Sequence, residues 1–205
     1  ARPIDGQPHS IVSPADGNIS QIGDFAEGHL FQSKCRHFSF NTLLGCAEDI
    51  GKKFAQGSFT TIYLSPRDYH RAHMPVDGEL VETRYIPGKL FSVNDATARQ
   101  VDGLFARNER LVCYFDTDYG KLAVVLVGAL FVAGIETQWQ KEFAPGRCQT
   151  VCFDKPLNFA KGDELGAFKF GSTVIVLTEA PVAWQEIQFP GSGCKMGRGM
   201  GTIKP

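Results

Sequence analysis

Short apolar runs separated by glycine, proline and aspartate make up most of this chain. Residues 59–64 (FTTIYL), 111–115 (LVCYF), 122–127 (LAVVLV) and 174–177 (VIVL) are rich in β-branched and aromatic side chains and predict strands. The longest apolar stretch, residues 122–135 (LAVVLVGALFVAGI), is short for a membrane span and is broken by Gly128 and Gly134, so it predicts one or two buried strands. Helical patterning is scarce. Residues 42–54 offer a Thr cap and a mixed apolar face weakened by Gly45 and Gly51, and residues 94–101 predict a shorter helix. The pattern predicts a mainly β fold with minor helix (α+β), sandwich- or barrel-like. With no linker or low-complexity run, residues 1–205 form one domain.

Two internal echoes suggest how such a fold is built. Residues 13–23 (SPADGNISQIG) and 74–83 (MPVDGELVET) share Pro-x-Asp-Gly followed by an apolar position, a turn that launches a strand. Residues 161–168 (KGDELGAF) and 196–203 (MGRGMGTI) align Gly162 with Gly197 and Gly166 with Gly201 at one common offset. Paired units of this kind predict a fold that doubles back on itself with glycines where backbones pass closely.

Composition narrows the function classes. Hydrophobic residues are 43%, charged residues 21% and the net charge is -1, so no broad basic field points to nucleic acid. None of the six cysteines forms a C-x-x-C pair, which favours free thiols in a reducing compartment. The chain begins ARPIDG, with neither an initiator Met nor a signal-peptide pattern; a longer natural N-terminus is expected.

Candidate chemistry concentrates in three places. Gly171-Ser172-Thr173 directly precedes a β-prone run. Glycine tolerates strained backbone, and a serine after it can attack the preceding carbonyl, turning amide to ester. Elimination then leaves dehydroalanine, whose tautomeric imine is hydrolysed by water to a pyruvoyl group with loss of ammonia. Of the five histidines, His70 and His73 lie three apart in residues 65–75 (SPRDYHRAHMP), after a strand. Histidine suits activation of a hydroxyl near neutral pH, and a carboxylate such as Asp16 orients such a base. The alternatives stay open at this level: Asp16 as a turn cap, and the histidine pair as metal ligands.

The segments SPADG (13–17), DYHRAHMP (68–75), PGKLFSVN (87–94), VGA (127–129) and FGST (170–173) occur in the order seen in bacterial phosphatidylserine decarboxylases, and the chain resembles that family from about residue 11 to 203. The family's processing motif usually begins with Leu where this chain has Phe170. The resemblance implies cleavage between Gly171 and Ser172 into a large chain, 1–171, and a small chain, 172–205, that stay associated, possession of a pyruvoyl group made from Ser172, and no metal. It implies that His73 activates Ser172 with Asp16 orienting it, and that His70 assists decarboxylation of a substrate held as a Schiff base. Its substrate would be phosphatidylserine, converted to phosphatidylethanolamine by an enzyme attached peripherally to the cytoplasmic side of a bacterial membrane, with a homodimer in keeping with the family. Longer members carry an N-terminal amphipathic segment that this chain starts after or lacks.

A lipid substrate calls for an apolar rim. Phe38, Phe40, Leu43 and Leu44 in residues 37–45 (HFSFNTLLG) are the candidates, with Lys34, Arg36 and Arg71 as donors to lipid phosphate. Two rival classes remain: a zinc metallopeptidase using His70, His73 and Asp16, which lacks a third histidine at ligand spacing, and a carrier or phosphotransfer domain, for which Lys195-Met196 gives an incomplete biotinyl pattern.

Overall fold

The computed structural model describes residues 2–26, 29–33, 36–45, 54, 56–129, 134–144, 146–168 and 171–204, with residues 29–33, 36–38 and 40 as backbone only. Its strands in chain order are β1 (Ser10–Val12), β2 (Gly17–Ala26), β3 (His29–Ser33), β4 (Arg36–Ser39), β5 (Gln56–Leu64), β6 (Arg71–His73), β7 (Gly78–Ile86), β8 (Arg110–Thr117), β9 (Gly120–Val127), β10 (Ile135–Thr137), β11 (Gln149–Phe159), β12 (Glu164–Phe168), β13 (Ser172–Thr178), β14 (Val182–Trp184), β15 (Gly193–Cys194) and β16 (Gly199–Ile203). Among the described residues, three short helices accompany them: α1 (Phe40–Leu44), α2 (Asp95–Ala98) and α3 (Leu104–Arg107).

The centre is an eight-stranded antiparallel sheet in the order β11-β7-β8-β9-β13-β5-β2-β15, open at both edges. Its middle strands are buried on both faces, which is why they read as continuous apolar runs. Along β13, Val174 and Val176 point into one core and Ile175 and Leu177 into another. β9 repeats this division, with Leu122, Val124 and Leu126 on one face and Ala123, Val125 and Val127 on the other. Two three-stranded sheets, β1-β16-β14 and β10-β12-β6, cover the first face, and the helical segments cover the second. The predicted sandwich layering is present, and all four predicted strands lie within β5, β8, β9 and β13.

The helices are shorter than the sequence pattern predicts. The one expected over residues 42–54 begins at Phe40 and stops at Leu44, because Gly45 takes the left-handed conformation (φ 61°, ψ 32°) that ends a helix; residues 46–53 lie outside the described residues. The helix expected over 94–101 runs only over α2, with the Asn94 side chain accepting from the Thr97 amide at 2.9 Å as its cap.

The internal echoes are a pseudo-twofold. The unit β1–turn–β2 is matched by β6–turn–β7, β1 pairs with β16 and β6 with β12. The two units exchange backbone bonds: Val12 N–H donates to Pro75 O (3.0 Å) and His73 N–H to Pro14 O (2.8 Å). Each also grips a glycine turn. Ser13 bonds Arg198 O and receives Gly197 N–H, while Met74 bonds Asp163 O and receives Gly162 N–H. Gly17 is required by packing, since a Cβ there would lie 2.2 Å from the Tyr63 carbonyl oxygen of β5.

Candidate active site

One end of the large sheet gathers the candidate residues. Ser172 opens β13, opposite Leu64 at the end of β5; its neighbour Thr173 faces Val127 at the end of β9. The start of β2 after Asp16 and the end of β15 lie at the same end, because Asn18 pairs with Tyr63 and Gly17 with Cys194. The loop after β5 carries His70 and leads into β6, whose last residue is His73. Phe168 N–H donates to His70 O (2.9 Å), bringing this loop beside the link into β13. Gly171 sits against the loop's beginning, where a Cβ on it would lie 3.4 Å from Leu64 O and 3.7 Å from the Pro66 ring.

Ser172 is fully buried, and among the described residues its Oγ makes no hydrogen bond; the neighbouring Thr173 Oγ1 is likewise without one. A buried hydroxyl without a protein partner is an unfavourable arrangement. Both ring nitrogens of the half-buried His70 are likewise buried and unpaired.

His73 is held from both sides. Its Nδ1 is 2.8 Å from Gly162 O and its Nε2 is 3.3 Å from the Tyr69 hydroxyl. A carbonyl only accepts, so Nδ1 carries a proton; in neutral imidazole Nε2 is then the lone-pair nitrogen. Tyr69 stacks on the imidazole at 5.8 Å between centroids, and the Arg2 guanidinium lies 5.1 Å over the Tyr69 ring.

Asp16 sits in a network of its own. Among the described residues it makes no hydrogen bond to His73; the Gly162 carbonyl orients that ring instead. The buried Asp16 carboxylate accepts from Met196 N–H (3.0 Å), Lys195 Nζ (3.3 Å) and Arg2. Burial opposes its ionisation, but the Met196 amide, Arg2 and Lys195 together outweigh burial and hold the carboxyl below its ordinary value. Its twin Asp77 accepts from Lys161 N–H at 2.7 Å, so each Pro-x-Asp-Gly aspartate caps the glycine turn that its own unit grips. Among the described residues, Asp16 differs in its two cations, and Arg2 and Tyr69 link it to His73.

The expected apolar rim is corrected in part. Leu43 and Leu44 have no exposed surface and pack in the core, with Leu43 O accepting from Arg110 Nε (2.6 Å) and Leu44 O from the Tyr114 hydroxyl (3.1 Å). These donors satisfy the carbonyls that a helix end leaves open and hold both leucines inward. Arg110 is itself buried, which pulls its pKa down to about 10. Phe38 and Phe40 have side chains outside the described ones, Lys34 lies outside the described residues and Arg36 lies on a described backbone without a described side chain. Arg71 is exposed and paired with Glu164 at 2.5 Å.

Sequence reasoning missed Asn108. Fully buried, it accepts from Phe91 N–H (3.2 Å) and donates to Phe91 O (2.8 Å) and Gly128 O (2.9 Å). It thus ties the 87–94 segment to the 127–129 segment beside Thr173. A lone Asn carries no sequence signal for this. Tyr69 and Gly162, in contrast, stand inside segments already singled out.

A sequence model of the phosphatidylserine decarboxylase family matches residues 1–202. The chain belongs to this family. Similar curated relatives include phosphatidylserine decarboxylase proenzymes of Pseudomonas fluorescens (48% identical, covering 100% of this chain and 74% of the relative), Acinetobacter baumannii (52%, covering 98% and 70%) and Psychrobacter cryohalolentis (51%, covering 100% and 74%). The chain thus spans about three quarters of the length of these phosphatidylserine decarboxylase proenzymes. The metallopeptidase alternative gains no support from the site: among the described residues, no group of three or more His, Cys, Asp or Glu is arranged to hold a metal ion.

Proposed function

We infer that this protein is a self-processing decarboxylase that converts phosphatidylserine to phosphatidylethanolamine and carbon dioxide. The family match over residues 1–202 carries this reading. The unpaired, buried Ser172 hydroxyl behind Gly171 supports the site within it.

In the first stage the Ser172 hydroxyl attacks the Gly171 carbonyl carbon, converting the peptide to an ester; elimination then separates residues 1–171 from 172–205. Nε2 of His73 takes the hydroxyl proton, helped by the Gly162 bond that keeps Nδ1 protonated. Reaching Ser172 requires Nε2 to exchange its Tyr69 contact for the serine. Asp16 acts at a distance by fixing Arg2 over Tyr69 and by bracing the turn at Met196. The pyruvoyl group made from Ser172 supplies an electron sink for loss of the carboxylate. The buried nitrogens of His70, free of protein partners, suit it to deliver the proton that replaces the carboxylate. The small chain stays bound because its first strand, β13, lies between β9 and β5 in the sheet.

A lipid substrate supports peripheral attachment to a membrane; its cytoplasmic side and a homodimer rest on the family resemblance. Intact mass under denaturing conditions tests the chemistry. Two fragments divided after Gly171, with a ketone on the smaller one and a single uncut chain for Ser172→Ala, are expected. An uncut chain in the unsubstituted protein refutes the reading.

A further inference from the structure

The loop between β14 and β15 holds two large apolar side chains out into solvent. Ile187 is 68% exposed and Phe189 56% exposed, the two most exposed large hydrophobics among the described residues. They are not on a loose tip. Gln188 N–H closes a turn on Gln185 O (2.9 Å), and Ser192 closes another on Phe189 through its amide (2.9 Å) and hydroxyl (2.8 Å). Both shoulders are tied to the fold: Gln185 N–H to Met200 O (2.9 Å), Gly191 N–H to Ile19 O (2.7 Å) and Ile19 N–H to Ser192 O (2.9 Å). A rigid loop that keeps an Ile and a Phe in water bears a standing hydrophobic cost.

The surroundings indicate what covers them. An open cleft of about 560 Å³ is lined by Ile187, Gln188, Lys195 and Arg198. The side chains of Lys195 and Arg2 are 66% and 45% exposed, while the Asp16 carboxylate that both contact is 3% exposed, so the outward charge of that cluster is positive. Arg198 is exposed as well, against one exposed carboxylate on the loop, Glu186; Asp5 is half-buried and bonded to Ser10 and the Gln7 amide. Apolar side chains beside exposed cations match an anionic phospholipid bilayer, with the apolar pair below the headgroups and the cations among the phosphates. The strand after this loop, β15, pairs with the start of β2 next to Asp16, so the loop flanks the catalytic end of the sheet.

We propose that Ile187 and Phe189 insert into the interface of an anionic lipid bilayer, with Arg198 and Lys195 meeting lipid phosphates, and so bring the active-site end against the membrane. This rests on the peripheral attachment inferred above and gives it a surface different from the Leu43–Leu44 segment.

The test is sedimentation of the self-processed protein with phosphatidylcholine vesicles, with and without phosphatidylglycerol. Turnover of a short-chain phosphatidylserine, kept below its micelle concentration, is measured in parallel. The unsubstituted protein should bind the anionic vesicles. The Ile187→Ser/Phe189→Ser variant should bind them about 50-fold more weakly, and Arg198→Gln about five-fold more weakly with a flatter salt dependence. Turnover of the monomeric lipid should persist in the double variant, which shows that it still folds and processes itself. Equal vesicle binding by the double variant would overturn this surface while leaving membrane attachment intact. Failure of the unsubstituted protein to bind would overturn both. Loss of a dimer in the double variant, without vesicle binding by the unsubstituted protein, would assign the loop to a contact between copies instead.

Discussion

Replacing Ser172 by Ala should stabilise the uncut chain even as it abolishes processing. The hydroxyl is buried in a residue with no exposed surface, and it has no hydrogen-bond partner among the described residues. An unsatisfied buried polar group costs about 1–3 kcal/mol. Removing one oxygen forfeits little packing, so the expected net gain is about 1–2 kcal/mol. In a chain of this size that raises the melting temperature by about 2–8 °C. The comparison needs an uncut reference with the serine in place. Both proteins therefore carry His73→Gln, which removes the proposed base. Urea unfolding of His73→Gln and of His73→Gln/Ser172→Ala then isolates the hydroxyl, provided the two slopes agree. A double variant equal to or less stable than the single one would refute the reasoning, since it would mean that the hydroxyl is satisfied in the folded chain. Continued cleavage of His73→Gln would separately refute His73 as the base.

Other expectations follow from the same structure. Asn108→Ala removes three hydrogen bonds and leaves Phe91 N–H, Phe91 O and Gly128 O unpaired; a loss of about 3 kcal/mol in urea unfolding of the uncut chain is expected, with slower self-cleavage on a gel time course. Gly17→Ala places a Cβ 2.2 Å from a backbone oxygen that cannot swing away, so β2 must part from β5 at a cost of about 3 kcal/mol, read by the same unfolding assay. Asp16→Asn should change the pH dependence of stability. The folded carboxyl ionises below its ordinary value of 3.8, so its contribution is complete above the unfolded value and is lost as pH falls through the lowered folded one. The stability gap between the parent and Asp16→Asn, both uncut, should thus stay constant near neutrality and close below about pH 4; a gap independent of pH down to acid unfolding would contradict this.

The chain's local pattern determined the strands that carry the core. Continuous apolar runs such as residues 122–127 and 174–177 have only one economical use, burial on both faces of a central sheet, and the structure places them in β9 and β13. The paired Pro-x-Asp-Gly and glycine segments also announced the pseudo-twofold, because tight turns and close backbone approaches restrict residue type at each position. Ser172, His70 and His73 were legible as candidates from residue type and spacing. Their partners were not. That Gly162 O accepts from His73 Nδ1 and that Asn108 ties two segments together depend on contacts between residues far apart in the chain, and the Tyr69 contact with Nε2 depends on how the loop before β6 folds. The same holds for the apolar surface. Leu43 and Leu44 look exposed beside polar neighbours, yet Arg110 and Tyr114 from β8 draw their backbone inward, while Ile187 and Phe189, no more apolar in sequence, are held outward by a loop braced on β2 and β16. Periodicity reports which residues need burial, but only the assembled sheets determine which of them find a neighbour to cover them.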